Sequence, residues 1–270
     1  MDLALAQLRV EPGATAANLD RAVDAVERAA ARGADLVVLP EQFHVGFFAF
    51  DAYDAAAEPL DGPTLRRLAA AAVDNGVALL AGSVVEDLAA SRERGHAVPA
   101  ETGLSNTAVL FDADGERLLA YRKHNLFGFE SREADLLVPG EGLPTAALGG
   151  FTVGVSTCYD LRFPGLYADL LDAGATLVLV PSAWPYPRVE HWHVLPRARS
   201  VENACYVAAA NGVGDQGASR LCGRSAVYDP WGTPVASAGD DPKLLQARAD
   251  PDAVTAVRES FPAVRDRRRR

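Results

Sequence analysis

Lysine is nearly missing from this chain of 270 residues: it stands only at Lys123 and Lys243, and arginine fills the other basic positions. A lysine offers a compact ammonium with a movable pKa that a planar guanidinium cannot supply, so Lys123 is either kept for its chemistry or left by drift in composition. Lys243, in GDDPKLLQ, reads as part of a surface turn. Cysteine is equally sparse. Cys158, Cys205 and Cys222 form an odd set without metal-ligand spacing, which argues against a disulfide framework and a zinc site and fits a reducing compartment. No apolar run approaches the roughly 20 residues needed to cross a bilayer. The opening MDLALAQLRVEPG also lacks a basic region followed by a long apolar one, so a soluble, cytoplasmic protein without a membrane partner is expected. Positive charge is in deficit: the formal net charge of −10 disfavours nonspecific binding to nucleic acid. The basic C-terminal tail, about residues 258–270 and ending RDRRRR, is the local exception and reads as a solvated or subunit-edge terminus. No glycine-rich phosphate loop follows the first strand, which weighs against a nucleotide binder.

What is present is an ordinary globular composition, 49% hydrophobic and 23% charged, in a chain long enough for a sizeable core. Strand and helix patterns alternate. LALAQLRV (3–10) reads as a strand, and Leu19, Ala22, Val23, Val26 and Ala30 follow at helical spacing with Gly33 as a cap. ADLVVLPE is apolar on both faces, as a strand buried beneath helices requires. GPTLRRLAAAAVDNG then reads as a helix from Pro63 to Asn75-Gly76, VALLAGSVVE as a strand, and SNTAVLFDADGERLLAYRK as a hairpin about Asp114-Gly115. The second half alternates in the same way, with strand FTVGVSTCYD, helix near 164–173, strand ATLVLVPS, helix near 188–202, strand CYVAAANGVG and the hairpin SAVYDPWGTPVAS. No Pro/Ser-rich linker divides the halves, so residues 1–270 are read as a single α/β domain. The polar, irregular stretch 86–103 is expected to be a mobile loop.

Three strand ends carry reactive groups where α/β sheets place their ligands: Glu41, Lys123 and Cys158. Pro40 cannot continue a central strand, so Glu41 sits just past its end. Cys158 follows a buried strand and precedes a turn into a helix, where free N–H groups and the positive helix end would favour thiolate. Each has a plain alternative: a buried apolar thiol, a solvated carboxylate, an exposed lysine.

The combination decides among them. LPE at 39–41, YRK at 121–123 and CYDLRFP at 158–164, with PSAWP (181–185), HWHVLPRARSVENACYVAAANGVG (191–214) and SAVYDPWGTPVA (225–236), resemble the nitrilase superfamily of carbon–nitrogen hydrolases across nearly the whole chain, in the form found in its omega-amidase and Nit-type branch. The resemblance implies a four-layer α-β-β-α sandwich, a homodimer or larger assembly, and a Glu–Lys–Cys triad of Glu41, Lys123 and Cys158 needing no metal and no cofactor. An amide carbon is a poor electrophile, so the chemistry calls for a thiolate to attack, a carboxylate to take the thiol proton and a fixed cation for the developing oxyanion. A second family glutamate falls on Glu133, seven residues before Gly140, or on Glu130; it would orient Lys123 or the substrate amide, and its plain alternative is a surface ion pair with Arg132 or a neighbour. Arg162 is the candidate for a substrate carboxylate, or else an ion-pair partner of Asp160 or of a C-terminal acid. Tyr159, Trp184, Phe47 and Phe43 are pocket walls or core. Asn125, Gly165 and Arg224 depart from the family pattern, which leaves the triad intact but alters the polarity around it. His191 and His193 fall in a segment that resembles the family's subunit contact, and Cys205 and Cys222 read as buried thiols. The expected reaction is hydrolysis of a small carboxylate-bearing amide to acid and ammonia through a cysteine thioester. The alternatives are an N-carbamoyl amino acid hydrolase of the same superfamily and a noncatalytic binding module that keeps the fold.

Overall fold

The structure, a computed structural model, describes residues 1–129 and 131–267. Glu130 and the last three arginines of the basic tail lie outside the described residues. The first half runs β1 (Asp2–Gln7), α1 (Thr15–Ala30), β2 (Leu36–Val38), α2 (Pro63–Asn75), β3 (Ala78–Asp87), β4 (Leu104–Phe111) and β5 (Arg117–Arg122). The second runs β6 (Thr145–Leu148), β7 (Phe151–Val155), α3 (Pro164–Asp172), β8 (Leu177–Ser182), α4 (Val189–Asn203) and β9 (Tyr206–Asn211). It continues with β10 (Val213–Gln216), β11 (Ser219–Cys222), β12 (Ala226–Tyr228), β13 (Pro234–Ser237), β14 (Lys243–Arg248) and α5 (Pro251–Ser260). Two six-stranded sheets result, in the orders β14-β1-β2-β3-β4-β5 and β13-β12-β9-β8-β7-β6, while β10 and β11 pair apart. Each sheet has three parallel strands at its heart, β1-β2-β3 and β7-β8-β9, joined through the helices.

Strand alternation builds the layers. Leu3 and Leu5 of β1, with Val153, Val155, Leu177 and Leu179, fill the space between the sheets. Ala4 and Ala6 face the opposite way, where Ala22, Ala25, Val26 and Ala29 of α1 and Leu65 and Leu68 of α2 cover them. On the far side Val178 and Val180 meet Tyr167 and Leu170 of α3 and Trp192 of α4. The result is the α-β-β-α sandwich, and each fully buried leucine or valine in it contributes about 1.5–3 kcal/mol over exposure. Helix α2 stops where expected, with Gly76 at φ 61° closing on the Ala72 and Val73 carbonyls.

The expected loop at 86–103 is corrected in its first part. Asp87 accepts from the Ala90 N–H at 3.0 Å and caps a short helix, Leu88–Glu93, whose Leu88 and Ser91 are buried; residues 94–103 form no helix or strand. Lys243 opens strand β14 with its side chain exposed, where a turn was expected. Among the described residues no helix is long and apolar enough to cross a membrane.

Candidate active site

Glu41, Lys123 and Cys158 all lie just beyond strand ends on one side of the sandwich. The turn carrying Glu41 presses on β3 at Gly82, where a Cβ would stand 2.0 Å from the Pro40 carbonyl oxygen, so glycine alone fits there. Lys123 continues β5: its N–H donates to the Asn106 carbonyl and its own carbonyl accepts from the Gly140 N–H, each at 2.9 Å. Gly140 is equally confined, since a Cβ would meet the Arg122 carbonyl at 2.2 Å. Cys158 follows β7 with φ 47°, a left-handed backbone strained for a side chain of this kind, and opens a single 3-10 turn to Arg162. Asp160 holds that turn. Its Oδ2 accepts from the Thr157 N–H at 2.9 Å and the Tyr121 hydroxyl at 2.6 Å, and its Oδ1 accepts from the Asn125 N–H and Nδ2. The turn bearing Cys158 is thereby fastened to the strand and loop that flank Lys123.

The polar groups converge in a fully buried cluster. The Lys123 Nζ donates to Glu41 Oε1 at 2.8 Å and to both oxygens of Glu133 at 2.9 Å, which uses all three of its hydrogens. Asn106 Nδ2 donates to Glu41 Oε1 and Glu133 Oε1, both at 2.9 Å. The Ala183 N–H, just after β8, donates to Glu41 Oε2 at 2.9 Å, and the Phe127 N–H to Glu133 Oε2 at 2.7 Å. An acid from the first half is thus held by backbone of the second. Burial alone would lower the Lys123 pKa, but the carboxylates of Glu133 and then Glu41 outweigh it and hold the ammonium above its ordinary value. Burial raises the Glu133 pKa; Lys123 opposes the rise and Glu41 adds to it.

For Cys158 the expected helix-end thiolate is corrected. Burial raises the thiol well above its ordinary value, the negative charge of Glu41 adds to the rise, and Lys123 only partly opposes it. One 3-10 turn has little dipole, and α3 begins only at Pro164. Burial and the charge of Glu41 thus both favour the protonated thiol over the thiolate, and Glu41 is the carboxylate acting on it. Cys205 and Cys222 are buried as expected, and burial pushes both up to about 12.

Above the thiol a cavity of about 20 Å³ opens between Phe47, Tyr159, Arg162 and Trp184, with Phe48, Phe127, Pro185 and Arg188 farther round. That volume is on the order of one water, so only a slim polar group reaches the sulfur without the aromatic wall moving. Phe47 lies under the Lys123 Nζ at 5.1 Å. Phe43 is not a wall: it sits among the residues between the first sheet and its helices. Arg162 does not pair with Asp160, which is saturated by other donors. Its guanidinium stacks on Trp184 at 5.0 Å and Tyr159 at 5.7 Å and meets His191 Nδ1 at 3.1 Å. Glu133 stands at Lys123 and not in an ion pair with Arg132, whose partner is Asp51. Asn106, Asp160 and Arg188 were missed from sequence. Asn106 falls inside a strand that reads as hairpin only, and nothing in its neighbours marks it.

A layered α/β sandwich with a thiol, two carboxylates and an ammonium gathered beneath one pocket defines the class, a hydrolase acting on carbon–nitrogen bonds other than peptide bonds. Residues 2–259 match the carbon-nitrogen hydrolase family, and the chain belongs to it. It is 35% identical over 240 residues to a 2-oxoglutaramate amidase of Paenarthrobacter nicotinovorans, covering 87% of this chain and 79% of that one. It is 33% identical over 277 residues to an omega-amidase of Xenopus laevis, covering 99% and 95%. Among solved structures it matches the amidase of Nesterenkonia sp. AN1, a nitrilase-superfamily enzyme, with 32% identity and a TM-score of 0.78 over 97% of this chain and 98% of that one. That crystal is of a glutamate-to-glutamine mutant of the amidase and shows acrylamide added at the active-site cysteine.

Proposed function

We propose that the chain hydrolyses a small carboxylate-bearing amide to the acid and ammonia through a thioester on Cys158, in the manner of an omega-amidase. The observation that carries this reading is the shared position of Glu41, in reach of the Cys158 thiol while bound to the Lys123 ammonium. As the sulfur attacks the amide carbon, Glu41 takes the thiol proton and the carbonyl oxygen becomes negative. At rest every Nζ hydrogen of Lys123 is engaged. Protonation of Glu41 weakens its hold, which frees one N–H for the oxyanion at the moment the charge appears. Glu41 then gives its proton to the leaving nitrogen, ammonia departs, and water activated by the same carboxylate opens the thioester to acid and free thiol.

Glu133 keeps the ammonium charged and in place, and Arg162 takes the substrate carboxylate. The Glu41 to Ala183 bond supports reading both halves as one catalytic domain. We place the enzyme in the cytoplasm, where a free thiol stays reduced, as a homodimer. Val194 and Val201, one above the other on α4, with exposed Trp231 and Phe261, support such a contact face. The test is mass spectrometry of the enzyme quenched during turnover of a dicarboxylate monoamide. The acyl mass should appear on the peptide bearing Cys158; an unmodified Cys158 while ammonia is being released would overturn the reading.

A further inference from the structure

The pocket holds a second cation that the proposed reaction does not use. Arg188 lines the same cavity as Cys158 and Arg162, on the segment that follows Trp184. This segment is firmly held: the Trp184 N–H donates to Asn211 Oδ1 at 2.8 Å, the Tyr186 N–H to the Arg220 carbonyl at 2.8 Å, and the Arg188 carbonyl accepts from Trp184 Nε1 at 2.9 Å. The guanidinium leans on the rings of Phe127 at 5.6 Å and Phe129 at 5.9 Å. Among the described residues its side chain has no hydrogen bond and no ion pair.

Some arginines do find carboxylates, as Arg122 does with Glu86, Arg132 with Asp51 and Arg224 with Asp240, whereas Arg188 finds none among the described residues and stands at the pocket beside Cys158. Two guanidiniums around one apolar pocket, neither paired with a carboxylate among the described residues, repel each other and attract anions. They are also set apart. Arg162 rests on the Tyr159 and Trp184 wall, Arg188 on the Phe127 wall, and Phe127 and Tyr159 touch edge to face at 5.0 Å between them. Each guanidinium thus has an aromatic support of its own on the pocket wall. Lys123 does not compete for an anionic tail, since its hydrogens are taken by Glu41 and Glu133.

We propose that Arg188 is a specificity-determining residue that binds a second anionic group, so that the preferred substrates are primary amides whose acyl chain carries two anionic groups, one for each guanidinium. This rests on the carboxylate-bearing amide reading above and narrows it.

The test measures ammonia release from three aliphatic primary amides of similar length bearing no, one and two carboxylates, with the wild type, Arg188→Gln, Arg188→Lys and Arg162→Gln. In the wild type the second carboxylate should raise kcat/KM on the order of tenfold or more, the usual worth of a charge-assisted hydrogen bond. Arg188→Gln should erase that gain, chiefly through KM, and should lower kcat/KM far more for the dicarboxylate amide than for the monocarboxylate one. Arg188→Lys, which keeps the charge and loses the stacking, should retain most of the gain. An equal gain in wild type and Arg188→Gln, or an equal loss on all three amides, would overturn the proposal, the second result meaning that the arginine only braces Phe127 and Phe129. Failure of the underlying reading looks different: no preference for one carboxylate over none in the wild type, and no effect of Arg162→Gln upon it.

Discussion

Replacing Glu133 by glutamine keeps the shape of the site and removes one charge, and the hydrogen-bond geometry fixes what must follow. Each carboxylate oxygen accepts from two donors: Oε1 from Lys123 Nζ and Asn106 Nδ2, Oε2 from Lys123 Nζ and the Phe127 N–H. Whichever oxygen becomes an NH2 group, it faces two donors with a donor. Asn106 could turn its unpartnered Oδ1 toward the new amide, but only by giving up its bond to Glu41. At least one bond from the buried ammonium is therefore lost in either orientation, and the ammonium keeps one counter-charge in place of two. Breaking a buried pair costs about 3–5 kcal/mol, and at about 2–4 °C per kcal/mol for a chain near this size the melting temperature should fall by roughly 10 °C. Lys123 released from one anchor no longer meets the oxyanion squarely, and kcat should drop on the order of a hundredfold or more, as when one oxyanion donor is removed. KM should hardly change, because Glu133 does not line the pocket. Ammonia release and scanning calorimetry on Glu133→Gln, with Glu133→Asp beside it, measure both. A variant that melts within about 2 °C of the wild type and keeps its kcat would refute the view that Lys123 is positioned by two carboxylates.

Other consequences are as direct. Because burial and Glu41 raise the Cys158 thiol, its sulfur stays protonated at neutral pH. The thiolate ultraviolet absorbance of the wild type minus that of Cys158→Ser should therefore show no step until pH passes well above the ordinary thiol value of about 8.5; a step below that value would mean a preformed thiolate. Gly82→Ala places a methyl group 2.0 Å from the Pro40 carbonyl at a backbone φ of 27°, so the turn bearing Glu41 must shift. A displacement near 1 Å should cost about a hundredfold in kcat, read from initial rates on folded protein, and wild-type rates from this variant would show that the turn has slack.

Much of the fold was legible because period-two and helical spacing survive in a chain this apolar: β1, α1, α2, β8 and β9 fall where their patterns place them. Pattern reading overran strand ends, since apolar character continues past the last ladder bond; FTVGVSTCYD is strand only to Val155. It passed over β6, the β10–β11 pair and β14, whose short or amphipathic sequences gain strand form only from neighbours: β14 lies along β1, whose partner residues are more than two hundred positions away. The reactive trio was legible through the combined resemblance of LPE, YRK and CYDLRFP to one family, since each strand-end residue taken alone has a plain alternative. Asn106 and Asp160 were not, because an asparagine in a hairpin strand or an aspartate in a turn has an ordinary local explanation, and their long-range partners exist only once the sheets have formed.

The retention of lysine at position 123 follows from the same geometry. The buried acceptors around it offer three contacts, one from Glu41 and two from Glu133, and an ammonium has three hydrogens directed from one atom. A guanidinium would bring five donors on a rigid plane into a space with no exposure to solvent, leaving donors unpaired at about 1–3 kcal/mol each. It could also not give up a single contact while holding the others, because its fork moves as one body. In the proposed mechanism an oxyanion forms as Glu41 becomes protonated, and it needs a cation that exchanges one partner and keeps two, which a lysine does and an arginine does not.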